Sequence, residues 1–140
     1  MDIRLATKKD LKDFYEIKKE FNEGYGISEK SKKFITEEFN DYLTKGSIVV
    51  AILDSEIIGY LAGIVEEDLY EKVGHIGEVF ISKKFRNKGI STNLKDKFID
   101  FLQSKKISVC RIDVNPNNPA QEAYKKWGFK IDKYRMSLKL

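Results

Sequence analysis

Two runs of β-forming residues, IVVAIL (48–53) and IIGYLAGIV (57–65), stand on either side of a short polar break, Asp54-Ser55-Glu56. Such a pair reads as a β-hairpin, which commits the middle of the chain to a sheet. Upstream, Ile3 and Leu5 around Arg4 read as a short strand. Thr7 caps a helix over about 8–22, with Asp10 in the capping-box position and Leu11, Phe14, Tyr15, Ile17 and Phe21 on its apolar side. After the Gly24-Tyr25-Gly26 break, Ser28 starts a second helix over about 29–43. Its buried side is Phe34, Ile35, Phe39, Tyr42 and Leu43, and Gly46 closes it.

Downstream of the hairpin lies a charged loop, EEDLYEK (66–72), and then a strand over 73–81. Period two places Ile76, Glu78 and Phe80 on one face of that strand, Val79 and Ile81 on the other. From about 89 to 104 the spacing turns helical, with Ile90, Leu94, Phe98, Phe101 and Leu102 in one stripe. SVCRIDV (108–114) is a strand. A helix over about 119–127 follows, with Asn118 as N-cap and Pro119 at its first position. The end, KYRMSLKL, sets Tyr134, Met136, Leu138 and Leu140 against Lys133, Arg135, Ser137 and Lys139, the pattern of a half-buried strand. The expected order is β-α-α-β-β-β-α-β-α-β-β: an α/β chain of the mixed-sheet, α+β kind, with helices packed on the sheet.

At 140 residues and 16.3 kDa, one domain over 1–140 is expected. A hydrophobic fraction of 41% excludes disorder of the whole chain. No apolar run nears the roughly 20 residues that span a bilayer. The opening MDIRLATKKDLKDF has no apolar core of signal type, so a cytoplasmic protein without membrane attachment is expected. Cys110 is the only cysteine, which excludes an intrachain disulfide and a Cys-based zinc site. It sits in an apolar run and reads as a structural thiol. His75 is the only histidine, which disfavours Ser-His-Asp and Cys-His hydrolysis; it reads as an ordinary strand residue. Nothing indicates a metal site, and Trp127 reads as core. Against 22 acidic residues stand 26 basic ones, but only Arg4, Arg86, Arg111 and Arg135 are arginine. The net charge of +4 is spread along every element; it suits a phosphate-bearing ligand and no nucleic acid.

Arg86-Asn87-Lys88-Gly89-Ile90-Ser91 lies between a strand and a helix. Gly89 lets the backbone approach a ligand, and the free amides and dipole of the helix's first turn make an anion site suited to phosphate. It is neither a P-loop nor a dinucleotide fingerprint, since GK[ST] and GxGxxG are both absent. Some 25 residues on comes Asn117-x-x-Ala120-x-x-x-Tyr124-x-x-x-Gly128-Phe129, where Ala120 and Tyr124 share a helix face.

Taken in order, EVFI, then Arg86-x-x-Gly89-x-Ser91, then the Asn117 to Phe129 pattern resembles the acyl-CoA-binding core of the GCN5-related N-acetyltransferase (GNAT) superfamily. The element order matches over nearly the whole chain. One departure is Ser91, where the family usually has Gly or Ala. The resemblance implies a mostly antiparallel mixed sheet and acetyl-CoA as cosubstrate. The amides of Arg86, Asn87, Lys88, Gly89, Ile90 and Ser91 would hold the pyrophosphate. Backbone groups of Phe80 and Ile81 would pair with the pantetheine arm. Asn117 and Ala120 would form the other wall, and a bulge would splay the 73–81 strand from the 108–114 strand. Glu78 is the expected base, directly or through water, aided by partial burial beside Ile76 and Phe80. The Ile81 amide would meet the oxyanion, and Tyr124 is the expected acid.

In such a fold the acceptor enters near residues 21–27 and 66–72. There Glu66, Glu67, Asp68 and Glu71, beside Tyr25 and Tyr70, suggest a cationic amine: a small molecule, a lysine or a protein N-terminus. Two rival readings are a catalytically silent acyl-CoA sensor and a small basic nucleic-acid-binding domain. A homodimer through the 133–140 strand and a monomer are equally compatible with the sequence.

Overall fold

The computed structural model describes all 140 residues. Five strands form one sheet in the order β1-β2-β3-β4-β5: β1 Asp2–Leu5, β2 Gly46–Leu53, β3 Glu56–Glu67, β4 Lys72–Ile81 and β5 Cys110–Ile112. Neighbours are antiparallel except β4 and β5, which run parallel. The expected hairpin is β2–β3, turned by Asp54 and Ser55 in the left-handed region (φ 50° and 66°).

Two helices, α1 (Leu11–Gly24) and α2 (Lys32–Lys45), cover one face; α3 (Ile90–Ser104) covers the other. Phe14, Ile17, Ile35 and Phe39 pack on Ile48, Val50, Tyr60, Ala62 and Phe80. Ile90, Leu94, Phe98 and Leu102 pack on Val49, Ala51, Leu61 and Ile76. This alternation along β2 is why a run as apolar as IVVAIL serves two cores. A 3-10 turn, Lys8–Asp10, precedes α1, and the Asp10 carboxylate accepts the Thr7 amide at 2.8 Å, the reciprocal half of the capping box. The second helix starts later than expected. Ser31, not Ser28, accepts the Phe34 amide (3.1 Å), and Phe34 itself is exposed. The short α4 (Ala120–Lys126) follows Asn118, whose Oδ1 accepts the Ala120 amide at 2.9 Å.

The expectations for β4 and the C-terminus need correction. The β3–β4 register slips between Ala62 and Gly63: Ala62 faces Glu78 and Gly63 faces Ile76, so Gly77 is a bulge. A bulge breaks period two. Ile76 therefore turns to α3, while Glu78 and Phe80 turn to α1 and α2, and Ile76 does not share the Glu78 face. At the other end, residues 133–140 form no strand. Tyr134, Met136, Leu138 and Leu140 are all more than four-fifths exposed. An alternating pattern becomes a strand only on a pairing edge, and β5, its nearest sheet neighbour in sequence, offers just three residues. The fold class stands; no strand follows α4, where the expected order ends in β-β. No helix is long and apolar enough to cross a membrane.

Candidate active site

β4 is paired with β5 over only part of its length. Gly74, His75 and Ile76 pair with Cys110, Arg111 and Ile112; the pairing stops there, because β5, expected over 108–114, ends at Ile112. Glu78 to Ile81 keep β3 on one side and leave their other edge open. That open edge carries Phe80 and Ile81 and lies where the sequence leads one to expect a cleft.

Glu78 points from the bulge toward α1 and α2, and both its oxygens are engaged. Oε1 lies 2.6 Å from the Lys18 ammonium, and Oε2 accepts the Tyr60 hydroxyl at 2.7 Å. Lys18 Nζ also lies 2.6 Å from Glu38 Oε1 and 4.4 Å above the Phe21 ring. The Lys18 side chain is only 3% exposed, a position tolerable for a charge because two carboxylates meet it. Burial first, then the Glu78 charge, pushes the Tyr60 and Tyr42 hydroxyls well above the ordinary tyrosine range. Both remain neutral, and Tyr60 is the donor to Glu78. Sequence reasoning missed Lys18, Tyr60 and Glu38. The signal for Lys18 was present: it stands four residues after Phe14 and three before Phe21, inside an apolar helical stripe where a lysine has no solvent.

Beside this cluster, on the α2 side of the sheet, opens a cavity of about 350 Å3. Carboxylates of Glu38, Asp41 and Glu66 line it, with Lys45 as its lysine and with Tyr42, His75 and Gly77 on its walls. A Cβ at Gly77 would come within 2.6 Å of the Tyr42 hydroxyl, so any side chain there would displace that ring. His75 lies between two carboxylates, 3.2 Å from Glu66 and 3.4 Å from Asp113. Of the expected acidic rim, only Glu66 reaches this cavity. Asp68 instead folds its own loop: Oδ1 accepts the Tyr70 and Glu71 amides at 2.8 Å, and Arg111 lies 3.3 Å from Oδ2. Those amides hold the Asp68 carboxyl below the usual range. Tyr70 is exposed, and Tyr25 stacks on Phe21 with ring centres 4.7 Å apart.

Beyond β4, the loop to α3 takes the shape of an anion cradle. Asn87 (φ 62°) and Gly89 (φ 76°) are both left-handed, and Gly89 has open space where a Cβ would stand. Inside α3 the Asn93 amide turns back to the Gly89 carbonyl, leaving the amides of Ile90, Ser91 and Thr92 without intrahelical partners. Arg86 folds onto the strand: Nε donates to the Ile81 carbonyl at 3.0 Å and the guanidinium lies 5.4 Å over Phe80. Lys88 is exposed beside it. On α4, Ala120 and Tyr124 are half-buried; Asn117, in the turn before it, is exposed. Tyr124 packs on Trp127 and Phe129, while Trp127 Nε1 donates to Thr92 at 3.1 Å and so ties α4 to α3. Burial, with the Tyr25 charge behind it, raises the Tyr124 hydroxyl. Cys110 is pushed up to about 11 by burial, which suits an inert thiol.

The sequence profile of the acetyltransferase (GNAT) family matches residues 11–129. The chain belongs to the GNAT acetyltransferase family. A relative in Archaeoglobus fulgidus, an uncharacterized N-acetyltransferase, is 29% identical over 127 residues, 84% of each chain. Two solved GNAT-like structures superpose closely. One is AAC(6')-Iy in complex with the bisubstrate analogue CoA-S-monomethyl-acetylneamine, with a TM-score of 0.85, 17% identity, and coverage of 99% of this chain and 97% of that one. The other is a ribosomal-protein-alanine N-acetyltransferase from Brucella melitensis biovar Abortus 2308, with a TM-score of 0.80, 16% identity and full coverage of both chains. The chain carries an open β4 edge and, at 86–91, a loop with free helix amides, the two features the sequence leads one to expect of a GNAT fold.

Proposed function

We propose that the chain is an acetyl-CoA-dependent N-acetyltransferase that moves acetyl directly onto a primary amine, with no covalent enzyme intermediate. One observation carries this reading. The Gly77 bulge brings an unpaired strand edge and a held carboxylate, Glu78, to one place between a phosphate cradle and an acidic cavity.

Acetyl-CoA supplies the activated acyl thioester; the rest falls to the chain. Phe80 and Ile81 hold the arm with backbone groups, and the amides of residues 86–91 hold the pyrophosphate. Asn117 and Ala120 bound the cleft. Glu78, with two of a carboxylate's four lone-pair sites still free, takes the proton of the amine directly or through water. The Ile81 amide donates to the oxygen that gains charge, and Tyr124, kept protonated, returns a proton to the departing thiolate. Acid and base are side chains, so the transfer calls for no metal.

The Glu38, Asp41 and Glu66 carboxylates around the cavity favour a cationic amine. The acceptors in the two superposed structures' names differ, an aminoglycoside derivative in one and a protein alanine in the other; at such low identity they support the fold alone and leave both acceptor classes within the proposal. The cytoplasmic setting expected from the sequence belongs to the same proposal.

The test is a thermal-shift series with acetyl-CoA, CoA and ATP at equal ionic strength. A ligand at 100 times its Kd adds about 2.7 kcal/mol, a rise of several degrees. A shift with both CoA forms and little with ATP is expected. No shift with either CoA form overturns the cosubstrate assignment. Thiol release with a polyamine, an aminoglycoside and a lysine peptide then follows. Binding without release from any of them would favour the silent sensor.

A further inference from the structure

The Lys18 ammonium lies 2.6 Å from two carboxylates brought by different elements, Glu38 from α2 and Glu78 from β4. No other lysine in the chain is so buried or so shared. The two acids and one base sum to a charge of −1 beside the cavity. Every titratable group that faces Glu78 belongs to this cluster: Lys18 from α1, Glu38 and Tyr42 from α2, and Tyr60 from β3. The tyrosines are neutral, so the balance rests on Lys18 and Glu38.

We infer that Lys18 is a positioning residue for acetyl transfer: by dividing its charge between Glu38 and Glu78, it fixes the Glu78 carboxylate and sets its proton affinity, with Glu38 as the competing partner. This inference rests on Glu78 being the base. The geometry supports a role beyond packing. A buried lysine pairing with a single carboxylate would satisfy its charge; this one joins three elements, α1, α2 and β4, and ends on the carboxylate of the residue next to the β4 bulge. Tyr60 completes the hold by donating to the other oxygen, so the Glu78 side chain has one orientation. The arrangement also bears on the acceptor. With Lys18 in place, the cluster has room for one further positive charge before it is neutral, which is the charge of a single ammonium.

Opposite substitutions must then have opposite effects. In K18M the cluster carries −2, so Glu78 holds its proton more tightly. In E38Q the cluster is neutral and Lys18 is left to Glu78 alone, so Glu78 holds its proton less tightly. The experiment is a carbon-13 NMR titration of glutamate side-chain carboxyls in the ligand-free protein, with the Glu78 resonance assigned by its loss in E78Q. The Glu78 midpoint is expected to rise by at least half a pH unit in K18M and to fall in E38Q. A merely structural lysine would leave the midpoint still, or move it in the same direction in both variants, and either result overturns the inference. Should K18M fail to fold, E38Q decides alone: the Glu38 side chain is 27% exposed and its loss is tolerable, and an unmoved midpoint there overturns the inference.

Kinetics keep the underlying reading separate. CoA release from acetyl-CoA is followed against pH with spermidine as the probe amine. The acid limb of kcat/KM is expected to follow the NMR midpoints, with KM for spermidine lowered in K18M and raised in E38Q. Full activity in E78Q would remove Glu78 as base, whatever the titrations show. Midpoints that move while the acid limb stays put would remove the catalytic role of Lys18.

Discussion

Asp10 and Lys18 are the two charged side chains drawn below the surface around α1, and each is met by opposite charge. Asp10 receives both arms of Arg4, at 2.8 and 2.9 Å, and the Thr7 amide. The Arg4 hydrogen bonds hold its carboxyl below the ordinary carboxylate value. A depressed folded value means that the contribution is complete above the unfolded value near about 4 and is lost as pH falls through the lower folded one. D10N should therefore cost about 1–3 kcal/mol at pH 7, and the gap to the parent should narrow below about pH 4, as urea melts at several pH values will show. Tyr124 makes a second prediction. Y124F should lower kcat by about 100-fold while leaving acetyl-CoA affinity unchanged, and unchanged turnover would remove Tyr124 from the mechanism. The sequence points to Glu78 and Tyr124 as candidates because they stand in a recognisable order with the loop at 86–91. The burial of Lys18 could be read from the apolar stripe around it, but its partners could not, because the two carboxylates lie 20 and 60 residues away and no local pattern links them.

At the scale of elements, the helices and the β2–β3 hairpin could be read because periodicity marks them directly. The bulge in β4 could not. One extra residue leaves no trace in composition, and simple alternation placed Ile76 with Glu78. Its hint was a glycine within a strand pattern, but β4 has two, Gly74 and Gly77, and only the second is bulged. A glycine of β3, Gly63, sits at the same register slip and fixes how closely α3 approaches. A Cβ there would stand 2.3 Å from the Phe98 ring. G63A should cost about 1–3 kcal/mol by overpacking and lower Tm, and adding F98L should recover part of the loss; a neutral G63A would mean that α3 yields easily.

For the whole molecule, the mixed sheet with helices on both faces was legible, since the order of elements and short connections leave few topologies. The closing strands were not, because alternation shows what a segment could do with a partner and says nothing of whether an edge is offered. Residues 131–140 bury nothing and make no backbone hydrogen bond. Deleting them should leave the urea midpoint unchanged; a loss above about 1 kcal/mol would show that the tail docks, since surface changes away from contacts stay within about 0.5 kcal/mol. The bulge reaches this scale as well, for it bends β4 beside the residue proposed to carry the chemistry. Expressed in the gene, that geometry hangs on a single codon. Loss of the three nucleotides encoding Gly77 would leave Ile76 opposite Gly63 and Glu78 opposite Ala62, each in its present layer, because Gly77 is the one residue without a partner. What would go is the bend: β4 would run on evenly past Ile76, and the chain would keep every other side chain while losing the break beside which Glu78 sits.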